Sequence, residues 1–370
     1  MAVSRKRILI LSRSFFPTIS PRSFRATELA KELARQGNMV KVITSFIDGV
    51  DYEGLAKHIG VQFKNLGGEK IKVLTLHGSK PIMIINRLIN RSLLMLFEFP
   101  TIQLMPLVIK ALKEEAGYDL IISIAVPYPI HWGVAWARTP KHKIAKTWVA
   151  DCGDPYMGDQ IDTFKKLFYF KFVEKWAFKK ADFITINVPD GHKSYYSEFH
   201  YKIKYIPQGL KLDDVEVCCD EISNYPIKFA YAGGFIPIKR DPRPFIEYLL
   251  SQKIDFRFYI FTRKKEMVNS YAEKFPSKII VKDYIPRLEL LKFLSTVDFL
   301  INFDNNTEAT FPSKLLDYTI ANRPILNVKS SLDKPAISAF LARDYSQAYV
   351  IDDIQQYDIA KVTERFLELI

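Results

Sequence analysis

The chain has 370 residues, which is too long for one ordinary hydrophobic core and favours two domains of comparable size. Hydrophobic residues make up 48% and charged residues 25%, values that exclude a disordered or fibrous protein. The formal net charge of +12 favours an anionic partner, which a nucleic acid, an anionic membrane surface or a phosphorylated substrate would each provide.

The cysteines and the N-terminal segment predict a cytoplasmic protein. Cys152, Cys218 and Cys219 form neither a disulfide framework nor a zinc-site spacing, so we interpret them as reduced thiols. The basic start is followed by an apolar run only at residues 8–11, which is too short for a signal peptide. No stretch offers the about 18 uninterrupted apolar residues that a membrane-spanning helix needs.

Short apolar runs alternate with segments of helical period, a pattern that predicts an α/β fold with parallel sheets. In the first half the clearest helices are expected at 21–36 and 163–180. The mixed basic and apolar segment 80–113 fits an in-plane membrane helix or a buried helix pair, and burial is favoured. Strands are predicted at 7–11, 40–44, 119–125, 146–151 and 183–188.

The second half repeats this alternation, with strands predicted at 228–232, 256–261, 278–281, 299–303, 324–328 and 348–351. Between the halves, Pro-Gln-Gly at 207–209 precedes an acidic segment at 213–225 that lacks a strand pattern. We therefore expect an N-terminal domain at 1–208, a C-terminal domain at 209–352 and a C-terminal helix at 353–370. Ligands bind at the carboxyl edges of such sheets, which predicts a cleft between the domains.

The strongest local motif is Phe-Pro-Ser-Lys-Leu-Leu-Asp-Tyr at 311–318, directly after a predicted strand and followed by Ala-Asn-Arg-Pro-Ile at 321–325. Pro312 is expected to open a helix whose free backbone N–H groups at Ser313 and Lys314 hold a phosphate. Asp317 lies four residues after Ser313, on the same helical face, and would reach the hydroxyls of a neighbouring ribose. An ordinary helix start with a carboxylate that compensates the dipole has the same pattern.

A second motif, Tyr-Ala-Gly-Gly-Phe-Ile-Pro-Ile-Lys-Arg, spans 231–240 and also follows a predicted strand. Gly233 and Gly234 allow the backbone to approach a ligand closely, and Lys239 and Arg240 are placed to meet a diphosphate. Many glycine pairs after a strand only turn the chain. Two such loops in one domain predict a nucleotide-binding site.

Further matches over nearly the whole chain, taken in their order, resemble the retaining GT-B glycosyltransferases of family 4. They are Ile8-Leu-Ile-Leu-Ser12, Phe16-Pro17, Arg25, Leu29-Ala30, Leu33, Gly37, Val40-Lys-Val-Ile-Thr44, Asp151-Cys-Gly-Asp-Pro-Tyr156, Glu174, Trp176, Lys180-Ala-Asp182 and Ile206-Pro-Gln-Gly209. The resemblance implies an α/β, GT-B fold with two Rossmann-like doubly wound domains facing across an interdomain cleft. It also implies transfer of a sugar, of the hexosyl type, from a nucleotide-diphosphate sugar.

The implied acceptor is a glycan or a lipid-linked intermediate held by the N-terminal domain, in the synthesis of a surface polysaccharide or glycoconjugate. Retention of the anomeric configuration follows from the same resemblance. We expect a cytoplasmic protein that is peripheral to the inner face of the membrane, with an anionic membrane surface as a further partner and no nucleic acid, because no recognition motif accompanies the charge.

The family's motifs carry over residue by residue. Its Gly-Arg-x4-Lys loop, which contacts the donor diphosphate, matches Gly233 and Lys239, with Gly234 at the position of the Arg. In its Glu-x7-Glu motif, the second Glu contacts the ribose and corresponds to Asp317. The first Glu contacts the donor sugar and corresponds to Ala309, so we predict that Glu308, one residue before it, takes that role.

The resemblance implies donor binding without a metal or another cofactor, because cations neutralise the diphosphate leaving group. Asp151 and Asp154 imitate a metal-binding pair, but such carboxylates more often cap turns. Asp154 is also a candidate acceptor-side residue. His131 follows a strand end at a cleft-facing place and is a candidate catalytic group, and a surface histidine without function fits equally well.

Three alternatives remain at this stage. A GT-B sugar-nucleotide epimerase would need carboxylates and histidines on both domains, and the chain has only 6 histidines. A catalytically idle sugar-nucleotide-binding protein fits the alanine at position 309. A nucleic-acid-binding protein fits only the net charge.

Overall fold

The computed structural model describes residues 5–67, 71–75, 78–159, 165–212, 226–237, 240–304, 314–351 and 353–370. The chain divides into two compact units. The first contains Met1–Lys211 together with Gln356–Ile370, and the second contains Leu212–Gln355. The C-terminal segment therefore returns to the first unit.

The strands are β1 Arg7–Ser12, β2 Met39–Thr44, β3 Gln62–Asn65, β4 Tyr118–Ala125, β5 Ala145–Cys152, β6 Phe183–Ile186, β7 Ile203–Tyr205, β8 Ile227–Ala232, β9 Phe256–Phe261, β10 Ile279–Lys282, β11 Phe299–Phe303 and β12 Ile325–Val328. The helices are α1 Pro21–Arg35, α2 Tyr52–Ile59, α3 Lys80–Phe97, α4 Leu104–Leu112, α5 Pro129–Ala137, α6 Phe170–Lys180, α7 Arg243–Ser251, α8 Asn269–Lys274, α9 Arg287–Leu294, α10 Lys314–Ile320, α11 Lys334–Leu341 and α12 Ile359–Leu367.

The first unit is built on a 7-stranded sheet in the order β3-β2-β1-β4-β5-β6-β7. Its neighbouring strands are parallel, with Ile8 aligned to Val40 on one side and to Leu120 on the other. Helices cover both faces of such a sheet, so its central strands are continuous apolar runs and the residues from Ile8 to Leu11 are fully buried. The five strands predicted in this half are confirmed.

Helix α1 begins as the sequence predicts and packs against the C-terminal helix. Ser20 caps it by accepting a hydrogen bond from the backbone N–H of Ser23, and Pro21 occupies its first position. The apolar face that includes Leu29 shares one core cluster with Val362 and Phe366 of α12. Helix α12 is thus part of the hydrophobic core of the first unit.

The second unit contains a 5-stranded parallel sheet in the order β10-β9-β8-β11-β12. Five of the six strands predicted here are confirmed. The strand predicted at 348–351 does not form. The N–H of Tyr349 donates to the carbonyl of Ile325 in β12 at 2.8 Å, but the segment does not continue as a strand, and its residues Tyr349 and Val350 are exposed.

Two other predictions need correction. The helix expected at 163–180 begins only at Phe170, and residues 160–164 lie outside the described part of the chain. In the segment 80–113, α4 is buried through Leu104, Val108 and Leu112, as predicted. Helix α3 has no buried residue, so the prediction of a buried pair is wrong for its first member.

Within the described ranges, no single helix is long and apolar enough to cross a membrane. Lys80–Phe97 and Thr101–Leu112 meet the criteria of length and composition together, as a pair bent by 50°.

Candidate functional site

The predicted nucleotide site falls at the point where the strand order of the second unit reverses. Strands β8 and β11 are neighbours in the sheet, with Phe229 aligned to Phe299, although two strands separate them in sequence. In open α/β sheets the segments that follow two such strands diverge and leave a crevice at their carboxyl ends. Gly233 follows β8 at this edge, and α10 is the next helix after β11.

At the position of Gly233 a side chain would clash with its surroundings and require an unfavourable backbone conformation. The φ of 156° at Gly233 lies in the region that favours glycine, and an added Cβ would come within 2.9 Å of the hydroxyl oxygen of Tyr231. That hydroxyl donates a hydrogen bond to the carbonyl oxygen of Gly234 at 2.9 Å, and the N–H of Gly233 donates to the carbonyl of Phe261 at 3.0 Å. At Gly234 an added Cβ would meet nothing within 4 Å. The loop is therefore fixed on one side and open on the other.

The loop then turns back at Ile236 and Arg240, whose backbones exchange hydrogen bonds of 2.8 and 3.3 Å. This turn brings Arg240 close to Tyr231. Burial raises the pKa of Tyr231 to about 12, and the neighbouring Arg240 acts in the opposite direction. Lys239, the other predicted cation of this loop, lies outside the described residues, so its role stays a prediction.

The side chain of Lys314 meets the same loop from α10. Its Nζ lies 4.3 Å from the ring centroid of Tyr231, and its Cδ would be 3.6 Å from a Cβ at Gly233. The residue as a whole is half-buried, but Nζ is fully buried and has no hydrogen-bond partner among the described residues. Burial is the main reason why the pKa of Lys314 lies well below its usual range, and the charge of Arg240 lowers it further. The carboxylate of Asp304 acts in the opposite direction.

Arg240 and Lys314 thus bring two like charges to the carboxyl edge of β8. Burying an ammonium group without a partner costs free energy, and so does placing a second cation near it. An anion bound between them would offset both costs. From the sequence, only a backbone contact of Lys314 is predicted, because no local pattern indicates where its side chain lies.

Asp317 is held by an arginine that the sequence analysis missed. Its Oδ1 accepts a hydrogen bond from Nε of Arg287 at 2.8 Å, and Nη2 of the same guanidinium lies 2.8 Å away. Burial raises the pKa of Asp317, and Arg287 opposes that shift. In the next residue, the hydroxyl of Tyr318 accepts from the backbone N–H of Ala232 at 2.8 Å, which fixes α10 against the end of β8. No motif in the sequence marks Arg287, and the motif at 311–318 contains Tyr318 but assigns it no role.

A cavity of about 160 Å³ opens at the same edge of the sheet, where β11 and β12 end. Its lining residues are Asp241, Pro244, Phe303, Val328, Lys329, Ser330 and Leu332. The carboxyl edge of this sheet therefore offers space as well as positive charge.

In the first unit, His131 does not have the accessible place that the sequence analysis gave it. Its ring is fully buried on α5, Nδ1 lies 2.8 Å from Oγ of Ser123, and Nε2 lies 3.5 Å from Sγ of Cys152. Burial lowers the pKa of His131 to about 3. The cleft-facing position is wrong, because α5 packs most of its residues into the core.

The two aspartates of the 151–156 segment are each paired with an arginine. Asp151 is buried and accepts from Nε and Nη2 of Arg25 at 3.0 and 2.9 Å. Asp154 accepts from Nη2 of Arg22 at 2.7 Å, with 44% of its side chain exposed. Asp154 therefore remains accessible to a ligand, whereas Asp151 does not.

Among the residues that the structure describes, no group of three or more His, Cys, Asp or Glu side chains could hold a metal ion. Glu308, Ala309, Pro312 and Ser313 lie outside those residues, and their predicted roles stay predictions.

No protein-family model matches the chain, and no curated protein matches it in sequence. Solved structures match it in three dimensions over nearly its whole length. A glycosyltransferase from Rickettsia africae ESF-5 is 14% identical with a TM-score of 0.60, and the match covers 99% of this chain and 98% of that one. HepE from Anabaena, in complex with UDP-glucose, is 11% identical with a TM-score of 0.62, over 98% and 99%.

The catalytic domain of starch synthase IV from Arabidopsis thaliana, bound to ADP and acarbose, is 11% identical with a TM-score of 0.57, over 99% of each chain. At such identities the likeness establishes the fold. The prediction of an α/β, GT-B fold with two Rossmann-like sheets is confirmed.

Proposed function

We propose that the protein is a glycosyltransferase, and that its second unit binds the diphosphate of a nucleotide-diphosphate sugar beside Lys314 and Arg240. The observation that carries the proposal is the buried ammonium group of Lys314, which has no hydrogen-bond partner among the described residues and lies near a second cation. A diphosphate would give the ammonium group of Lys314 a hydrogen-bond partner, and its second negative group would lie near the charge of Arg240. The crevice between β8 and β11 is where a nucleotide binds in this class of sheet.

The comparisons support the same function. HepE was solved with UDP-glucose, and starch synthase IV with ADP. Those two nucleotides differ in their base, so the binding experiment below compares nucleoside diphosphates with different bases. We propose donor binding without a metal, since Lys314 and Arg240 would neutralise the diphosphate as it leaves.

In the proposed reaction, the bond between the anomeric carbon and the diphosphate oxygen breaks. The acceptor oxygen bonds to that carbon, its proton passes to the leaving diphosphate oxygen, and the nucleoside diphosphate is released. Asp317, held in place by Arg287, would accept hydrogen bonds from the ribose, and Glu308 would contact the sugar. We further propose a glycan or lipid-linked acceptor, and retention of configuration, on the strength of the sequence resemblance.

The test compares binding of nucleoside diphosphates with binding of the corresponding nucleosides by calorimetry. In the variant with Lys239→Ala and Arg240→Ala, affinity for the diphosphate should fall by about ten- to a hundredfold, because charge-assisted hydrogen bonds are lost. Affinity for the nucleoside should change little. The matched control, Arg257→Ala with Lys274→Ala, removes two exposed cations of the same unit and should bind both ligands as the unchanged protein does.

Equal loss for both ligands, or no loss for either, would count against the site. Product analysis separates the alternatives. Released nucleoside diphosphate indicates transfer or hydrolysis, a changed sugar nucleotide without release indicates an epimerase, and tight binding without any product indicates an idle binding protein.

A further inference from the structure

Helix α3 of the first unit presents its apolar side to solvent. Its exposed apolar residues include Ile82, Ile85, Ile89 and Leu96, which lie on one side of the helix at spacings of three, four and seven residues. Leu88 is 63% exposed. In a helix that packs on a core, a row of this kind faces inward and becomes buried. Here none of the 18 residues of α3 is buried.

The half-buried residues of α3 are three polar and three apolar side chains, namely Asn86, Asn90, Arg91, Leu93, Leu94 and Met95. Up to Asn90 the side that faces the protein is polar, and Nδ2 of Asn90 donates hydrogen bonds to the carbonyl of Leu74 at 2.7 Å and, within the helix, to the carbonyl of Asn86 at 2.9 Å. In this part of the helix Ile82, Ile85 and Ile89 are exposed to solvent.

Apolar residues continue this surface at both ends of the helix. Val73 and Leu74 are exposed where Asn90 meets the chain. At the other end, the hydroxyl of Tyr169 donates to the carbonyl of Leu96, so the exposed rings of Phe168 and Phe172 belong to a segment that lies against the C-terminal part of α3. We call these residues, together with the exposed residues of α3, the α3 surface.

The charge of the α3 surface is positive. Between residues 80 and 97 the chain has Lys80, Arg87 and Arg91 and no acidic residue. The next carboxylate, Glu98, is buried, and it pairs with Lys166 at 2.8 Å and with the hydroxyl of Tyr156 at 2.8 Å. The surface therefore combines exposed apolar side chains with the exposed cations Lys80 and Arg87.

We propose that the α3 surface binds an anionic lipid membrane, with α3 lying in the plane of the interface. The apolar row enters the boundary between headgroups and acyl chains, and Lys80 and Arg87 contact lipid phosphates, as in other interfacial helices with a basic polar face. The bent pair of α3 and α4 does not span the bilayer, because α4 packs into the core through Leu104, Val108 and Leu112.

Charge also decides against a second copy of the chain as the occupant. A two-fold dimer would bring the same basic surface of both copies together, and like charges in contact repel. An anionic lipid surface attracts each of these cations. The proposal rests on the first unit alone and does not depend on the donor site proposed above.

The test is flotation of the full chain with vesicles made of equal parts of phosphatidylglycerol and phosphatidylcholine, compared with vesicles of phosphatidylcholine alone. The protein should float with the anionic vesicles at low salt and detach as salt rises. The variant Lys80→Glu with Arg87→Glu should partition at least about 30-fold less, from about 1 kcal/mol for each basic residue near the surface. The variant Ile85→Ser with Ile89→Ser should bind the anionic vesicles at least about tenfold more weakly than the unchanged protein.

The control Leu288→Ser with Val350→Ser removes two exposed apolar residues of the second unit and should float as the unchanged protein does. All variants should keep their thermal unfolding midpoint, because the four residues changed in α3 are exposed. The proposal fails if the unchanged protein stays in solution at low salt, if it binds neutral vesicles equally well, or if the control loses as much. A further outcome also refutes the proposal. If the protein does not bind vesicles, and sedimentation shows a dimer that dissociates in the variant Ile85→Ser with Ile89→Ser, the α3 surface binds a second copy of the chain.

Discussion

Replacing Lys314 by Met should stabilise the ligand-free protein and weaken binding of the diphosphate at the same time. Methionine keeps most of the aliphatic length of the lysine side chain and removes the ammonium group. That group is buried near Arg240 without a described hydrogen-bond partner. Because the two effects have opposite signs, a general loss of folding cannot produce both.

The expected change in the free energy of unfolding depends on two opposing contributions of the Lys314 ammonium group. A buried polar group without a partner costs about 1–3 kcal/mol, and more when it is charged. The ring of Tyr231, 4.3 Å away, offsets part of this cost, by up to about 2 kcal/mol for a desolvated cation. Burial and the charge of Arg240 both lower the pKa of Lys314, so these two contributions disfavour its charged form together. We expect the free energy of unfolding to rise by about 1–3 kcal/mol at pH 7.

The pH dependence has a definite sign. The pKa of Lys314 is lower in the folded state than in the unfolded state, so the stability linked to it is fully present above the ordinary lysine pKa of about 10.4 and is lost as pH falls. The gain from Lys314→Met should therefore be larger at pH 7 than at pH 10. Affinity for the diphosphate should fall by about ten- to a hundredfold, since one charge-assisted hydrogen bond is lost.

Urea unfolding at both pH values and calorimetric titration with nucleoside diphosphates measure these effects. Lys274→Met, which removes an exposed cation of the same unit, is the matched control and should change stability by less than about 0.5 kcal/mol. A less stable Lys314→Met protein at pH 7, or unchanged affinity for the diphosphate, would refute the reasoning.

Three more outcomes are expected. Glu308→Ala should lower donor turnover by about ten- to a hundredfold with nucleotide binding retained, and unchanged turnover would remove Glu308 from the site. Burial raises the pKa of Glu174 to about 7, so its stabilising contribution is full below the unfolded pKa and is lost as pH rises through 7. Relative to Glu174→Gln, the unchanged protein should lose about 2–3 kcal/mol of unfolding free energy between pH 5 and pH 8, and parallel profiles would contradict this. Asp151→Asn leaves buried Arg25 without its carboxylate and should lower the free energy of unfolding by about 3–5 kcal/mol. Asp154→Asn changes a partly exposed pair and should lower it by less than about 1 kcal/mol. Equal losses of stability in thermal unfolding of the two variants would contradict this account.

The sequence predicts the strands well where a sheet is covered on both faces. Residues 8–11 are a continuous apolar run and residues 299–303 are apolar except for Asn302, because all of these positions are buried. The same reasoning failed at 348–351, since an apolar composition does not reveal whether another element covers the segment. It failed again at α3, whose composition resembles that of α4 although only α4 packs into the core.

The candidate site was predictable in its backbone and not in its side chains. Glycines after a strand indicate a loop that a ligand can approach, and Gly233 occupies such a place. The position of the Lys314 ammonium over Tyr231 depends on how α10 packs against β8, which no local motif encodes. His131 shows the reverse error, because a residue that closely follows a strand end was taken as accessible and is buried.

The path of the chain through the first unit has a consequence for its synthesis. The N–H of Leu210 donates to the carbonyl of Tyr357 at 2.8 Å, and the N–H of Ile359 donates to the carbonyl of Leu210 at 2.9 Å, so the chain leaves this unit and re-enters it at neighbouring points. A ribosome joins every residue of the second unit to the chain before it adds residues 356–370. Until α12 is made, the face of α1 that it covers stays exposed, so the unit that begins first in the sequence cannot complete its core before the whole second unit has been synthesised.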